Sequence, residues 1–165
     1  MFAGGSMVAM ERAVAMANCR WCGSRHRSKY PVDGSTVSAN TAIHGGGIYN
    51  DDTLYVQNGS TIGGTGAGNT AFGGGGIVNY GGSTTVDGST ISANTAYDGG
   101  GIYNWGTLTV QNGSTIGGAG AVNTAANDGG GIYNYDGNTT VDSSTVSANE
   151  AINGGGIYNR DTLNI

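Results

Sequence analysis

The sequence predicts an all-β fold, a right-handed parallel β-helix of about five coils with three short strands per coil, and three observations carry that prediction. First, Gly45-Gly46-Gly47-Ile48-Tyr49-Asn50 returns as Gly74 to Asn79, with Val78 for tyrosine, and as Gly99 to Asn104, Gly129 to Asn134 and Gly154 to Asn159. The isoleucines step by 29, 25, 30 and 25 residues, so long and short units alternate. Second, other apolar columns keep the same beat: Val32, Val56, Val86, Val110, Val141 and Ile165; Val37, Ile62, Ile91, Ile116 and Val146; and an alanine column at 42, 71, 96, 125 and 151. Columns that share one period belong to units that bury their apolar side only by stacking on neighbours. Third, the apolar runs inside a unit are short, alternating and β-branched, as in Thr107-Leu108-Thr109-Val110 and Ser89-Thr90-Ile91-Ser92. That is strand spacing, not helix spacing.

Residues 1–30 share nothing with the repeats and form one segment; residues 31–165 form the repeat domain. Met10 to Asn18 contains strong helix formers, so a short helix there is expected either to cap the end of the solenoid or to belong to a disordered leader. There is no basic region before the apolar stretch, and Glu11-Arg12 interrupt it, so no signal peptide is visible. Cys19-x-x-Cys22 with His26 resembles half a zinc site. A structural zinc needs four ligands, and the only other histidine is His44. Two thiols without a metal is the simpler expectation.

From Pro31 each coil is expected to carry a Gly-rich strand such as Gly100 to Asn104, a second strand such as Thr107 to Val110, a third such as Ser114 to Ile116, and a return loop. Left-handed hexapeptide helices have six-residue periodicity, which is absent here. Asp33, Asn58, Asp87, Asn112 and Asp142 mark the turn before the third strand, each followed by Gly or Ser. Asn and Asp tolerate left-handed backbone, and Gly adopts it without steric cost. Asn50, Asn79, Asn104, Asn134 and Asn159 predict an internal amide ladder, and Asn40, Asn69, Asn94, Asn123 and Asn149 a second. Asn58-Gly59-Ser60 and Asn112-Gly113-Ser114 match a glycosylation sequon, which the turn also explains. The longer units carry extra glycines between Ile62 and Ala71 and between Ile116 and Ala125, projecting as bulges along one edge.

These coils resemble the pectin-lyase-like right-handed β-helix superfamily, and especially the repeats of polymorphic outer membrane proteins and related bacterial autotransporter passengers. Those repeats carry Gly-Gly-Ala-(Ile/Leu/Val) and Phe-x-x-Asn motifs. Gly45 to Ile48 occupies the first; Val37-Ser38-Ala39-Asn40, Ile91 to Asn94 and Val146 to Asn149 occupy the second, with the Phe replaced. The resemblance covers roughly residues 32–165 and implies a secreted or surface-exposed, outer-membrane-associated passenger. The sequence stops at Ile165 inside a second strand, so a fragment or a rod that associates end to end is expected.

Charge narrows the function classes. Residues 1–30 carry a net +4, whereas residues 31–165 carry Arg160 alone against ten acids. A body with one cation cannot neutralise phosphates, so nucleic acid is not its partner. No run of 18 apolar residues exists to span a membrane as a helix. Lyases and hydrolases of related fold need a base or paired carboxylates at set separation. Only Asn50-Asp51-Asp52 offers such a pair, and its counterparts are Asn104-Trp105-Gly106 and Asn134-Tyr135-Asp136. The sequence therefore predicts a chain with no active site and no cofactor or metal, a stalk or adhesin with a carbohydrate or cell-surface partner. The alternatives are a segment of a polysaccharide-active enzyme whose catalytic coils lie elsewhere, or a calcium- or ice-binding solenoid. Calcium would use Asp33, Asp87 and Asp142; ice would use the outward Thr36, Thr61, Thr90, Thr115 and Thr145 with Ser38, Ser92 and Ser147 beside them. If Ile48 points inward, Tyr49, Tyr103, Tyr133 and Tyr158 point outward with Trp105, Tyr135 and Tyr80 nearby, an exposed aromatic column that either binds sugar rings or stabilises the sheet.

Overall fold

The computed structural model describes residues 24–26 and 31–165, and among them the chain winds as a parallel β-solenoid without a helix. The Gly-rich strands stack in register through Ile48, Ile77, Ile102, Ile132 and Ile157, four full turns with partial coils at either side. Ser24–His26 pairs with Ile48–Asn50 and begins this ladder on the N-terminal side of position 31. The helix expected over Met10 to Asn18 and the Cys19-x-x-Cys22 pair lie outside the described residues.

The second strands stack as Val32–Asp33, Thr53–Gln57, the later parts of Ile77–Asp87 and Ile102–Gln111, Asn138–Val141 and Thr162–Asn164. The third strands run from Thr36–Val37 through Thr61–Gly63, Thr90–Ser92 and Thr115–Gly117 to Thr145–Ser147. Two features depart from three separate strands per coil. In two coils the first and second strands fuse into bent strands of 11 and 10 residues, with a register shift between Trp105 and Thr107. Glycine at the corner lets the strand bend without breaking its ladder. The return loop also has a ladder of its own: Thr95–Ala96 pairs with Thr124–Ala125, flanked by bridges from Thr41 to Thr70 to Thr95 and from Thr124 to Glu150. It forms because Ala96 and Ala125 tuck into the interior.

The core is a stack of like side chains. Ile48, Ile77, Ile102 and Ile132 line one wall, Val56, Val86 and Val110 another, and Ile62, Ile91 and Ile116 a third, all fully buried. One column alternates instead: Leu54, Thr84, Leu108 and Thr139 are neighbours in register and all have no exposed surface. A buried hydroxyl without a partner costs about 1–3 kcal/mol. Here Asn50 donates to Thr84 Oγ1 at 3.2 Å and Asn104 to Thr139 Oγ1 at 3.3 Å.

Those donors belong to the first amide ladder, in which Asn50, Asn79 and Asn104 each donate Nδ2–H to the Oδ1 of the next at 2.8 Å, and Asn134 to Asn159 at 2.6 Å. The second ladder links Asn40, Asn69, Asn94, Asn123 and Asn149 at 2.9–3.1 Å. Backbone groups fix each amide's orientation: Asn94 Nδ2 donates to Ile62 O at 2.9 Å, while its Oδ1 accepts from Asn69 N–H at 3.0 Å. A third, hydroxyl ladder was not foreseen. The backbone N–H of Ser35 donates to Ser60 Oγ, Ser60 to Ser89, Ser89 to Ser114 and Ser114 to Ser144, at 3.1–3.2 Å.

The turns before the third strand split into two kinds. Asn58 and Asn112 are left-handed, at φ 56 each, as expected, but Asp33, Asp87 and Asp142 are not; the following Gly34, Gly88 and Ser143 take that conformation. Asp33 and Asp87 serve the neighbouring coil instead, while Asp142 accepts from the adjacent Ser143 hydroxyl. Asn58 Nδ2 donates to Asp33 Oδ1 at 2.7 Å and Asn112 Nδ2 to Asp87 Oδ1 at 2.9 Å.

Candidate functional site

The outward position after each core isoleucine forms one file: Tyr49, Val78, Tyr103, Tyr133 and Tyr158. Two residues further along lies a second file, in which Tyr80, Trp105 and Tyr135 follow Asp51 and precede Arg160. Rings meet within and across the files. Tyr49 stacks on Tyr80 at 6.1 Å, Tyr80 meets Trp105 at 5.0 Å, and Trp105 meets Tyr135 at 5.2 Å. Tyr103 meets Tyr133 at 4.9 Å and Tyr133 meets Tyr158 at 5.4 Å.

The outward direction expected for the tyrosines holds, but their exposure is uneven. Tyr133 is 5% exposed because Tyr103, Tyr135 and Tyr158 surround it. Tyr49, Tyr103 and Tyr158 are half-buried, while Trp105 and Tyr80 are the exposed rings of the strip. Arg160 closes one end. Its guanidinium lies 4.5 Å over the Tyr135 ring and donates to Tyr133 Oη at 3.5 Å.

Burial, aided by Tyr133 and Asp98, pushes the Tyr103 hydroxyl up to about 12 from an ordinary 10. Burial raises Tyr133 as well, against the opposing effect of Arg160. A raised phenol contributes stability that is fully present below pH 10 and is lost as pH climbs towards 12. Absorbance at 295 nm should therefore show a late tyrosinate step that coincides with loss of β-sheet circular dichroism. One transition near 10 for all nine tyrosines, with the fold intact, would contradict this.

The strip has one break, and a groove of about 380 Å³ occupies it. Val78 stands where the other coils carry tyrosine, and it forms a floor that is 4% exposed. Beside it runs the ladder His44, Gly73, Asp98, in which Gly73 again lacks a side chain where its neighbours have one. A smaller side chain at Val78 and none at Gly73, in one coil, leave the hollow. Tyr49 and Tyr103 bound it along the axis, two rungs or ~9.6 Å apart. Tyr80 and Trp105 form one wall and Phe72 the other, with Phe72 lying parallel to Tyr97 at 5.0 Å and 2°. His44 and Asp98 supply the polar edge. Asp98 is held by Asn127 Nδ2 at 3.0 Å and by the backbone N–H of Asp128 at 3.2 Å.

Phe72, Val78 and Asp98 were not singled out as site residues in the sequence, Tyr80 was placed beside the expected aromatic column, and His44 was weighed only with the Cys19-x-x-Cys22 pair. The signal for them was the interruption of the repeat at Val78. The other expected faces read differently. Thr36, Thr61, Thr90, Thr115 and Thr145 do stack in register. Ser38 and Ser92 are buried, at 7% and 3%, because the chain bends into left-handed backbone at Ala39 and Ala93 just after them. Asp87 accepts from Asn112 and Gln111, which together hold its carboxyl below the usual range. Among the described residues no three His, Cys, Asp or Glu side chains converge as a metal site.

No family model, curated protein or solved structure matches the chain. Its class is defined by the fold, a parallel β-solenoid repeat protein carrying an aromatic strip.

Proposed function

We propose that the chain is a non-enzymatic β-solenoid of the secreted or cell-surface kind, a stalk or adhesin-like passenger that uses its aromatic strip to hold a surface ligand. The observation that carries the reading is the groove at Val78, where rings from three files face one hollow. Rings needed only for sheet stability would continue the Tyr column, as the other coils do. The similarity of the Gly-Gly-Gly-Ile and x-Ser-Ala-Asn motifs to polymorphic outer membrane protein repeats supports a surface setting, as does a low-charge body rich in Ser, Thr, Asn and Gly. No described helix is long and apolar enough to cross a membrane.

The test is retention of the chain on cellulose, chitin, pectate and intact cells. Tyr80→Ala with Trp105→Ala removes the two exposed rings of the strip and should lower retention at least ~10-fold, the usual effect of losing aromatic anchors. Circular dichroism should stay unchanged, since both side chains lie outside the core. Equal retention of the double variant, or none by the parent chain, overturns the reading.

A further inference from the structure

We propose that the Val78 groove is an aromatic cage for a small organic cation of the alkylammonium class, such as a trimethylammonium head group. The inference rests on reading the strip as a binding face. Cations are drawn to aromatic faces by the ring quadrupole, most strongly where water is excluded. Tyr49, Phe72, Tyr80, Tyr103 and Trp105 surround the hollow on four sides. Tyr80 stands nearly perpendicular to Trp105, at 70°, while Tyr49 lies at 29° to Tyr80, so the hollow offers both a face and an edge to a rounded group.

The polar inventory points the same way. A sugar ring brings several hydroxyls, each of which needs a partner once desolvated. Only His44 and Asp98 among the lining side chains are polar donors or acceptors apart from the ring hydroxyls and the indole N–H. Asp98 gives the cage its negative charge, and residues 31–165 contain ten acids against Arg160 alone. Charge complementarity thus favours a cationic occupant over a neutral or anionic one.

The strip already holds one cation at its other end. The Arg160 guanidinium rests 4.5 Å over Tyr135 in the file that, two coils earlier, places Tyr80 against the groove. There the protein supplies the cation from its own chain; at Val78 a ligand fills the equivalent role.

The experiment titrates the intact chain with choline and with 3,3-dimethylbutan-1-ol, its uncharged isostere, and follows the Val78 methyl and Trp105 indole signals by NMR. Choline should bind with a Kd of about 1 mM or tighter and the alcohol at least ~10-fold more weakly. Trp105→Ala and Asp98→Asn should each weaken choline several-fold, with Asp98→Asn leaving the alcohol unaffected. Val78→Tyr restores the residue that other coils carry at this place, so it should fold normally and abolish binding. Equal binding of alcohol and choline, or undiminished choline binding by Val78→Tyr, overturns the cage. If choline does not bind while retention on surfaces still depends on Trp105, the cation assignment alone falls; if retention also fails, so does the strip as a binding face.

Discussion

Gly100→Ala is expected to destabilise the solenoid by ~3 kcal/mol or more, the upper range of overpacking effects. A Cβ at Gly100 would collide with Gly130 O and lie 2.6 Å from Thr124 O. Both are backbone atoms of the next coil, tied into ladders, so neither can give way without moving a whole rung. The control is Gly113→Ala in a turn. There φ is +74 and nothing lies within 4 Å, so only left-handed strain opposes the methyl, at about 1–2 kcal/mol. Urea midpoints at constant slope measure both. Equal losses would mean that coil-to-coil approach does not fix the glycines.

Asn94→Ala is expected to be as damaging, for an electrostatic reason. Asn94 has no exposed surface, and its side chain serves three neighbours. Its removal leaves the Asn69 backbone N–H without its acceptor, the Ile62 carbonyl without its amide donor and the amide chain cut between Asn69 and Asn123. Each buried group left unsatisfied costs about 1–3 kcal/mol, so the loss should reach ~3–5 kcal/mol. Ile91→Val trims a methylene from the adjacent core wall and should cost about 1 kcal/mol. If thermal denaturation shows Asn94→Ala no worse than Ile91→Val, the ladder is a passenger of the fold.

What repeats was legible. The apolar columns and both asparagine files recur at one spacing, and stacking is the only arrangement that satisfies all of them at once. The Leu54, Thr84, Leu108, Thr139 alternation went unread because each threonine becomes tolerable only through an asparagine on another strand. The serine ladder was hidden because hydroxyls at strand edges look like ordinary turn chemistry. Tyr133 was misjudged as exposed because its cover comes from Tyr103, Tyr158 and Arg160 on neighbouring coils, which alternation along one strand cannot show. His44 was considered as a partner for Cys19, Cys22 and His26; the structure places it at the edge of the aromatic groove. The groove itself follows from departures at Gly73 and Val78, and a reading organised by the repeat treats departures as noise.

Both asparagine files point one way. From Asn50 to Asn159 and from Asn40 to Asn149, every Asn-to-Asn bond runs from the Nδ2–H of the lower-numbered residue to the Oδ1 of the next, so each accepting Oδ1 faces the coil of lower number; in the second file the remaining Nδ2–H turns back to a backbone carbonyl. Dipoles of β-strands largely cancel, but these side-chain amides add head to tail, and each hydrogen bond polarises the next. The rod therefore has an electrical direction along its axis, positive towards the Ile157 coil and negative towards the Ile48 coil. The two directions along the axis are thus chemically distinct even where successive coils carry the same residues.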